Sequence, residues 1–151
     1  MLSAEINQST LRGGQRLSSR DISRVLREIA DVLRLKRPLM ISIAFVNERT
    51  MRRLNREYRG KDRVTDVLSF TLLDPRSAVA GQPVGELLLC YPQARRQAAE
   101  LDHSVRDELL FLIVHGVLHL FGYDHEKPAE AKRMFLLQTR ALKRLKIDPR
   151  I

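Results

Sequence analysis

The sequence has little cysteine, no long apolar run and no segment that looks like a leader. Cys90 is the single cysteine, which excludes an internal disulfide framework and is typical of a reducing compartment. The longest uninterrupted apolar run covers residues 109–114, whereas a membrane-spanning helix needs about 20 residues. The first ten residues lack a basic segment followed by an apolar one, so we expect no secretion signal. These features predict a soluble, cytoplasmic protein that does not associate with membranes.

Positive charge, in contrast, is abundant. The 151 residues include 27 Lys and Arg against 18 Asp and Glu, which gives a net charge of +9 and a pI near 10.4. The length predicts a single domain over residues 1–151, and 44% apolar residues suffice for an ordinary core. A basic excess favours polyanionic partners such as nucleic acid or an anionic membrane face, with a basic but inert surface as the alternative.

The charge is distributed unevenly along the chain. Residues 74–130 contain five basic and nine acidic residues, whereas the remainder contains 22 basic and nine acidic residues. The basic stretches are 12–37, 49–63 and 132–150. A mildly acidic segment flanked by basic ones suits a catalytic centre with basic walls.

Apolar periodicity predicts an α+β fold, with a small mixed sheet of about four strands packed against about five or six helices. Ser18 or Ser19, Asn47 and Ser104 stand where side chains cap the N-termini of helices. Gly122 stands where a helix ends in a left-handed turn. The predicted strands are 2–7, 39–46, 67–72 and 86–91, and the predicted helices are 18–35, 47–58, 92–100, 104–121 and 128–145.

Three of the four histidines lie within eleven residues. His115 and His119 are spaced i, i+4 on the most apolar predicted helix, so both rings can face one ion. Gly122 lets the chain turn back, so His125 can reach the same point. Three imidazoles suit zinc and leave a fourth position open for water or substrate. Ordinary polar histidines on a helix are the alternative, but burying two imidazoles without partners would be costly.

The spacing H-x3-H-x2-G-x2-H matches the three-histidine frame of metzincin proteases. Those enzymes carry a Glu directly after the first His as the general base, and this chain has Gly116 there. A metzincin-like peptidase is therefore disfavoured. Zinc can also polarise a phosphoryl oxygen, so the basic stretches favour hydrolysis of a phosphodiester over that of a peptide.

A second group of polar residues joins a basic helix end, a loop and a strand over residues 55–70. Arg59 and Lys61 in the loop are suited to phosphate, although a solvated basic turn would look the same. Ser69 belongs to the polar face of the following strand, which could order an extended substrate. Tyr58 is expected to pack against the core rather than to stack on a base.

Three segments resemble the YbeY family, which are zinc-dependent bacterial endoribonucleases of rRNA maturation. HGVLHLFGYDH at 115–125 is similar throughout to the family's H-G-x-L-H-L-x-G-Y-D-H signature. NREYRGKDRVTDVLSF at 55–70 resembles N-x-x-Y-R-x-K-D-x-x-T-D-V-L-S-F. GELLLC at 85–90 resembles G-D-I-x-I-C, with Glu86, a longer side chain of the same charge, in place of the usual Asp. The likeness covers about 38–145.

The resemblance implies that His115, His119 and His125 bind one zinc ion per chain, and that His115 and Arg59 are catalytic. It also implies a single-strand-specific endoribonuclease that matures the 3′ end of small-subunit (16S) rRNA and acts in late ribosome quality control. The expected partners are rRNA and the small ribosomal subunit with its proteins. A metallopeptidase and a non-catalytic, zinc-containing rRNA-binding assembly factor are the alternatives.

Three further residues receive individual predictions. Asp124, beside His125, could orient a metal ligand, cap the turn or accept a proton. Cys90 in an apolar strand is expected to be a small buried side chain. His103 precedes the capping Ser104 and is expected at the surface.

Overall fold

The computed structural model describes residues 1–149 and confirms the predicted α+β fold. Within these residues, four strands, five α-helices and two short 3₁₀ turns (Gly13–Gln15 and Pro75–Ser77) follow one another. The strands are β1 (Leu2–Asn7), β2 (Leu39–Phe45), β3 (Val67–Thr71) and β4 (Pro83–Leu89). The helices are α1 (Ser19–Leu33), α2 (Glu48–Arg59), α3 (Tyr91–Glu100), α4 (Val105–Leu120) and α5 (Pro128–Arg144).

The four strands form one mixed sheet in the order β1-β2-β4-β3. β2 pairs in parallel with both β1 and β4, and β3 pairs antiparallel with β4. β3 therefore lies at one edge of the sheet, with Ser69 opposite Leu87. β4 begins at Pro83, three residues before the predicted start, because Pro83 already pairs with Met40 of β2.

The sheet separates two apolar clusters. The larger cluster joins alternate residues of β2 and β4 to α1, α4 and α5. The smaller one lies on the other face and is formed by Met51 of α2 with Leu68, Leu88 and Cys90, each at most 7% exposed. Cys90 is thus the buried side chain that the sequence predicts, and desolvation by burial raises the pKa of its thiol. None of the helices in residues 1–149 is long and apolar enough to span a bilayer.

The predicted helix caps are present. The side chains of Ser18, Asn47 and Ser104 each accept a hydrogen bond from the backbone N–H three residues on. After α4 ends, Gly122 has a φ of +93°, a conformation that a glycine adopts without steric cost. The chain therefore turns sharply just before His125.

The prediction that Tyr58 packs in the core is wrong. Its side chain is 60% exposed, and its ring lies edge-on to Phe70 of β3 with centroids 5.3 Å apart. The buried position on that turn of α2 is occupied by Asn55, whose amide donates to the carbonyl of Arg63 at 2.9 Å. The last turn of α2 therefore binds the following loop through Asn55, and the aromatic ring of Tyr58 stays exposed.

Helix α4 packs closely on the sheet because each side of the contact carries a glycine. A Cβ added to Gly85 of β4 would lie 2.6 Å from Leu120 Cδ2 and 3.1 Å from Leu120 Cγ. A Cβ added to Gly116 of α4 would lie 2.8 Å from Leu87 Cδ2 and 3.3 Å from Ser69 Oγ. Both gaps are too small for a side chain, so these glycines set the separation of helix and sheet.

Substituting Gly85 with Ala should lower the free energy of unfolding by about 1–3 kcal/mol, because the methyl group must displace Leu120 in a filled core. In a Leu120→Ala background the same methyl group has room, so the two substitutions should cost less together than the sum of their separate costs. Urea denaturation of the four proteins measures this coupling.

Gly14→Ala is the matched control, because no atom lies within 4 Å of a Cβ added there. Its unfolding free energy should change by no more than about 0.5 kcal/mol. Additive costs for Gly85→Ala and Leu120→Ala would contradict the close contact.

Candidate active site

Three imidazoles converge at the end of α4. His115 and His119 lie one turn apart on the helix, and Gly122 returns the chain so that His125 faces both rings. The ring centroids of His119 and His125 are 5.3 Å apart, and those of His115 and His125 are 5.8 Å apart. The ring of Phe111, one turn earlier, lies parallel to that of His115.

The nitrogen atoms of this cluster fit a tetrahedral metal ion. The Nε2 atoms of His115 and His119 are 3.2 Å apart, and one ligand nitrogen from each of the three residues lies within 4.8 Å of the others. Two nitrogens bound to zinc at the usual distance would be about 3.3 Å apart. The donor set therefore suits zinc and leaves a fourth position open.

Gln138 of α5 holds His115 from behind. Its side chain is 2% exposed, and its Oε1 lies 3.0 Å from His115 Nδ1. Because an amide oxygen only accepts, Nδ1 carries the ring proton and the Nε2 lone pair faces the other imidazoles. Sequence reasoning missed Gln138; its signal is a polar residue on the apolar stripe of α5, between Met134 and Ala141.

His119 is half-buried, and its surroundings favour the neutral imidazole. Desolvation lowers the pKa of its imidazole, and the neighbouring His115 and His125 lower it further. A neutral imidazole has the lone pair that a metal requires, so this environment favours ligand binding over protonation.

Arg59 lies in the same groove, fixed against the sheet edge. Its Nη2 donates to the backbone carbonyl of Ser69 at 2.7 Å, and its guanidinium carbon lies 5.1 Å from the centroid of the Phe70 ring. Arg59 is thus anchored to β3 although its side chain is exposed. The guanidinium keeps further N–H groups for a ligand in the groove.

The structure brings most of the predicted site residues into one groove of about 680 Å³. Ser69 also lies in it, and its hydroxyl donates to the carbonyl of Gly116 at 3.2 Å, which joins β3 to α4. Asp124 does not line the groove; its carboxylate accepts the backbone N–H of His125 at 2.7 Å. The predicted residues that line the groove are Arg59, Lys61, Ser69, His115, His119 and His125.

A buried chain of polar groups supports the wall of the groove. Glu108 of α4 is fully buried, and its carboxylate meets His103 Nε2 at 2.9 Å and accepts from Gln97 Nε2 at 2.8 Å. The same Gln97 nitrogen donates to Asp66, a residue of the groove, at 2.9 Å. Sequence reasoning missed this chain, whose signal is a carboxylate within an apolar helix.

The prediction that His103 is a surface residue is therefore wrong. Its side chain retains only 15% exposure because the ring turns inward to the Glu108 carboxylate. The buried acid needs a polar partner, and that need outweighs the position of His103 in a loop.

Glu86 lies on the side of β4 that faces away from the imidazoles. Gly85 and Leu87 face α4, so the residue between them points to the opposite face of the sheet. There the Glu86 carboxylate accepts from the hydroxyl of Ser42 at 3.4 Å. The longer acid is thus accommodated within the strand pair β2–β4.

Comparisons with known proteins agree on one family. Residues 4–146 match the family model described as endoribonuclease YbeY. The chain is 40% identical to endoribonuclease YbeY of Shouchella clausii over 94% of each chain. It is 38% identical to the Spiroplasma citri protein of the same name, over 85% of this chain and 84% of that one. The solution structure of TM1509 from Thermotoga maritima matches with a TM-score of 0.59 and 26% identity, over 97% of this chain and 92% of that one.

Gln138→Leu should weaken zinc binding by about 10- to 100-fold, because His115 loses the acceptor that fixes its ring and its proton. Competition with a chromophoric chelator measures the affinity. Gln138→Glu keeps an acceptor at the same place and should retain tight binding. Equal affinities of the Leu variant and the unaltered protein would contradict the role of Gln138, provided that thermal unfolding of both metal-free proteins shows that they are folded.

Proposed function

Because this chain belongs to the YbeY family of endoribonucleases, we propose that it cleaves single-stranded RNA with the help of one zinc ion per chain. The observation that carries the proposal is a single groove in which three imidazoles, from α4 and the turn after it, face Arg59 from the end of α2. Cleavage of a phosphodiester is assisted by a metal ion and by a fixed cation that stabilises the developing negative charge, and this groove can supply both.

His115, His119 and His125 would hold the zinc ion. When bound, zinc lowers the pKa of a water molecule to about 7 and polarises a phosphoryl oxygen. His115 is catalytic in this sense, and Gln138 keeps its Nε2 available by retaining the proton on Nδ1. Asp124 fixes the backbone at His125, which orients the third ligand.

Arg59 would stabilise the negative charge that develops on the phosphoryl oxygens during cleavage. The Ser69 carbonyl and the Phe70 ring hold the guanidinium before substrate arrives, so little ordering is required at that moment. Lys61 adds a second cation to the same groove, and Ser69 lines it, so we assign substrate binding to both.

The geometry argues against a peptidase. A peptide substrate would pair with the exposed edge strand through main-chain hydrogen bonds, but the Ser69 carbonyl at that edge already accepts from Arg59. A Cβ added to Gly116, which stands where a metzincin has its general base, would lie 2.8 Å from Leu87 Cδ2 and 3.3 Å from Ser69 Oγ, so a larger side chain is disfavoured there.

The cellular task that we propose is maturation of rRNA, at the 3′ end of the small-subunit rRNA, together with late ribosome quality control. The net charge of +9 supports binding to a polyanion of this size. The partners would be the small ribosomal subunit and its proteins, and the site of action the cytoplasm.

Arg59→Ala should reduce cleavage of a single-stranded RNA by about 10²- to 10³-fold while zinc content stays at one ion per chain, because a charge-stabilising group is lost without a metal ligand. His115→Ala should lose both zinc and cleavage. Denaturing gels of end-labelled RNA, with metal analysis of each protein, measure these effects, and a chelator should abolish cleavage.

Arg20→Ala is the control, since Arg20 is an exposed residue of α1 outside the groove, and it should leave the rate unchanged. Undiminished cleavage by folded Arg59→Ala or His115→Ala protein would refute the assigned roles. Tight RNA binding by zinc-loaded protein without any cleavage would identify a binding factor instead of an enzyme.

A further inference from the structure

The exposed face of α2 carries a row of five arginines that ends in the active groove. At 100° per residue, these side chains fall within an arc of about 120°, opposite the buried Met51. The row rises about 15 Å along the helix from its first member to its last, which is Arg59. All five side chains are exposed: Arg49, Arg52, Arg53, Arg56 and Arg59.

Intramolecular ion pairs neutralise only part of this row. Asp62 accepts from Arg52 at 2.9 Å and from Arg56 at 3.5 Å, so one carboxylate serves two guanidinium groups. Arg49 and Arg53 form no ion pair with a carboxylate in residues 1–149. Over residues 48–63 there are seven basic and three acidic residues, so the surface keeps a positive excess.

The row borders a depression that adjoins the active groove. Four of its arginines line a second surface groove of about 670 Å³ together with Glu48 and Val64. Val64 stands in the chain between Arg63 and Thr65, which line the groove of the imidazoles. One loop therefore forms a wall of both grooves.

We propose that this row is the track for the RNA strand beyond the cleavage site, an inference that rests on the proposed function. A single strand presents a series of phosphates, and guanidinium groups bind phosphate in a bidentate manner. Since the row ends at Arg59, a strand whose scissile phosphate lies at Arg59 can place its next phosphates on Arg56, Arg52 and the two unpaired arginines. The continuity with the active groove favours nucleic acid over an acidic protein.

The test replaces the two unpaired arginines, because their loss breaks no intramolecular ion pair. Binding of a 12-nucleotide unstructured RNA to the zinc-loaded protein is followed by fluorescence anisotropy from 0.1 to 1 M salt. For this measurement the RNA carries 2′-O-methyl groups and phosphorothioate linkages, which resist cleavage, and gels verify that it stays intact. Affinity falls as salt rises, and each phosphate contact on a single strand contributes about −0.7 to the slope of log K against log salt. Arg49→Ala/Arg53→Ala removes two contacts, so the slope should become shallower by about 1.4. That equals about a 25-fold loss of affinity at 0.1 M salt if binding is equal at 1 M.

The same variant should raise KM for the 12-nucleotide RNA and leave kcat unchanged, since the bond that breaks lies at the other end of the row. The control Arg20→Ala/Arg27→Ala removes the same charge from exposed positions of α1 and should keep the slope and KM. An unchanged slope in the α2 variant, or an equally shallower slope in both variants, would overturn the proposal. An unchanged slope would favour an acidic protein as the ligand of the arginine row. Absence of cleavage by the unaltered protein would instead refute the proposed function, because the slope is measured independently of turnover.

Discussion

The close approach of α4 to the sheet is the constraint on which the site depends. Gly85 and Gly116 remove the side chains that would separate helix and strands, and Leu120 and Leu87 fill the space from the other side. With the helix this near, the hydroxyl of Ser69 reaches the carbonyl of Gly116 and ties the edge strand to the turn that carries the first imidazole. The groove lies where this contact between α4 and the sheet ends, between the end of α4, the edge of β3 and the loop after α2.

Buried polar groups extend the site into the core. The Gln138 amide oxygen accepts a hydrogen bond from His115 Nδ1, and the Glu108 carboxylate contacts His103 and Gln97. A buried polar group left without a partner costs about 1–3 kcal/mol, so each of these pairs resists separation. The ring of His115 and the groove wall at Asp66 are consequently held by interior contacts, whereas Arg59 is held by the edge of a strand. The site thus combines a rigid cluster of imidazoles with a cationic side near the surface.

Local spacing predicts the part of this structure that local geometry determines. His115, His119 and His125 are brought together by one helix and one glycine turn, so the sequence alone indicates the cluster. The caps at Ser18, Asn47 and Ser104 are local in the same sense. The partners of Gln138 and Glu108 come from other elements, and no periodicity indicates which of them will meet. Tyr58 shows the same limit: its helical phase is that of the buried stripe, but the sheet ends before it and the ring remains exposed.

The kind of ligand that the groove favours depends on which of its charged groups already have hydrogen-bond partners. Asp66 is the one acidic residue among the described residues that line it, and its carboxylate accepts from the N–H of Val67 and from Gln97. The basic residues Arg59, Lys61 and Arg63 line the same space. A groove whose acid is engaged and whose cations face the opening favours an anionic ligand, because a neutral peptide would desolvate these charges without compensation. Gly116 supports the same conclusion, because the position that would carry a peptidase's general base is a glycine that lets α4 pack against the sheet. The packing that builds the histidine cluster therefore also restricts which substrate the groove can bind.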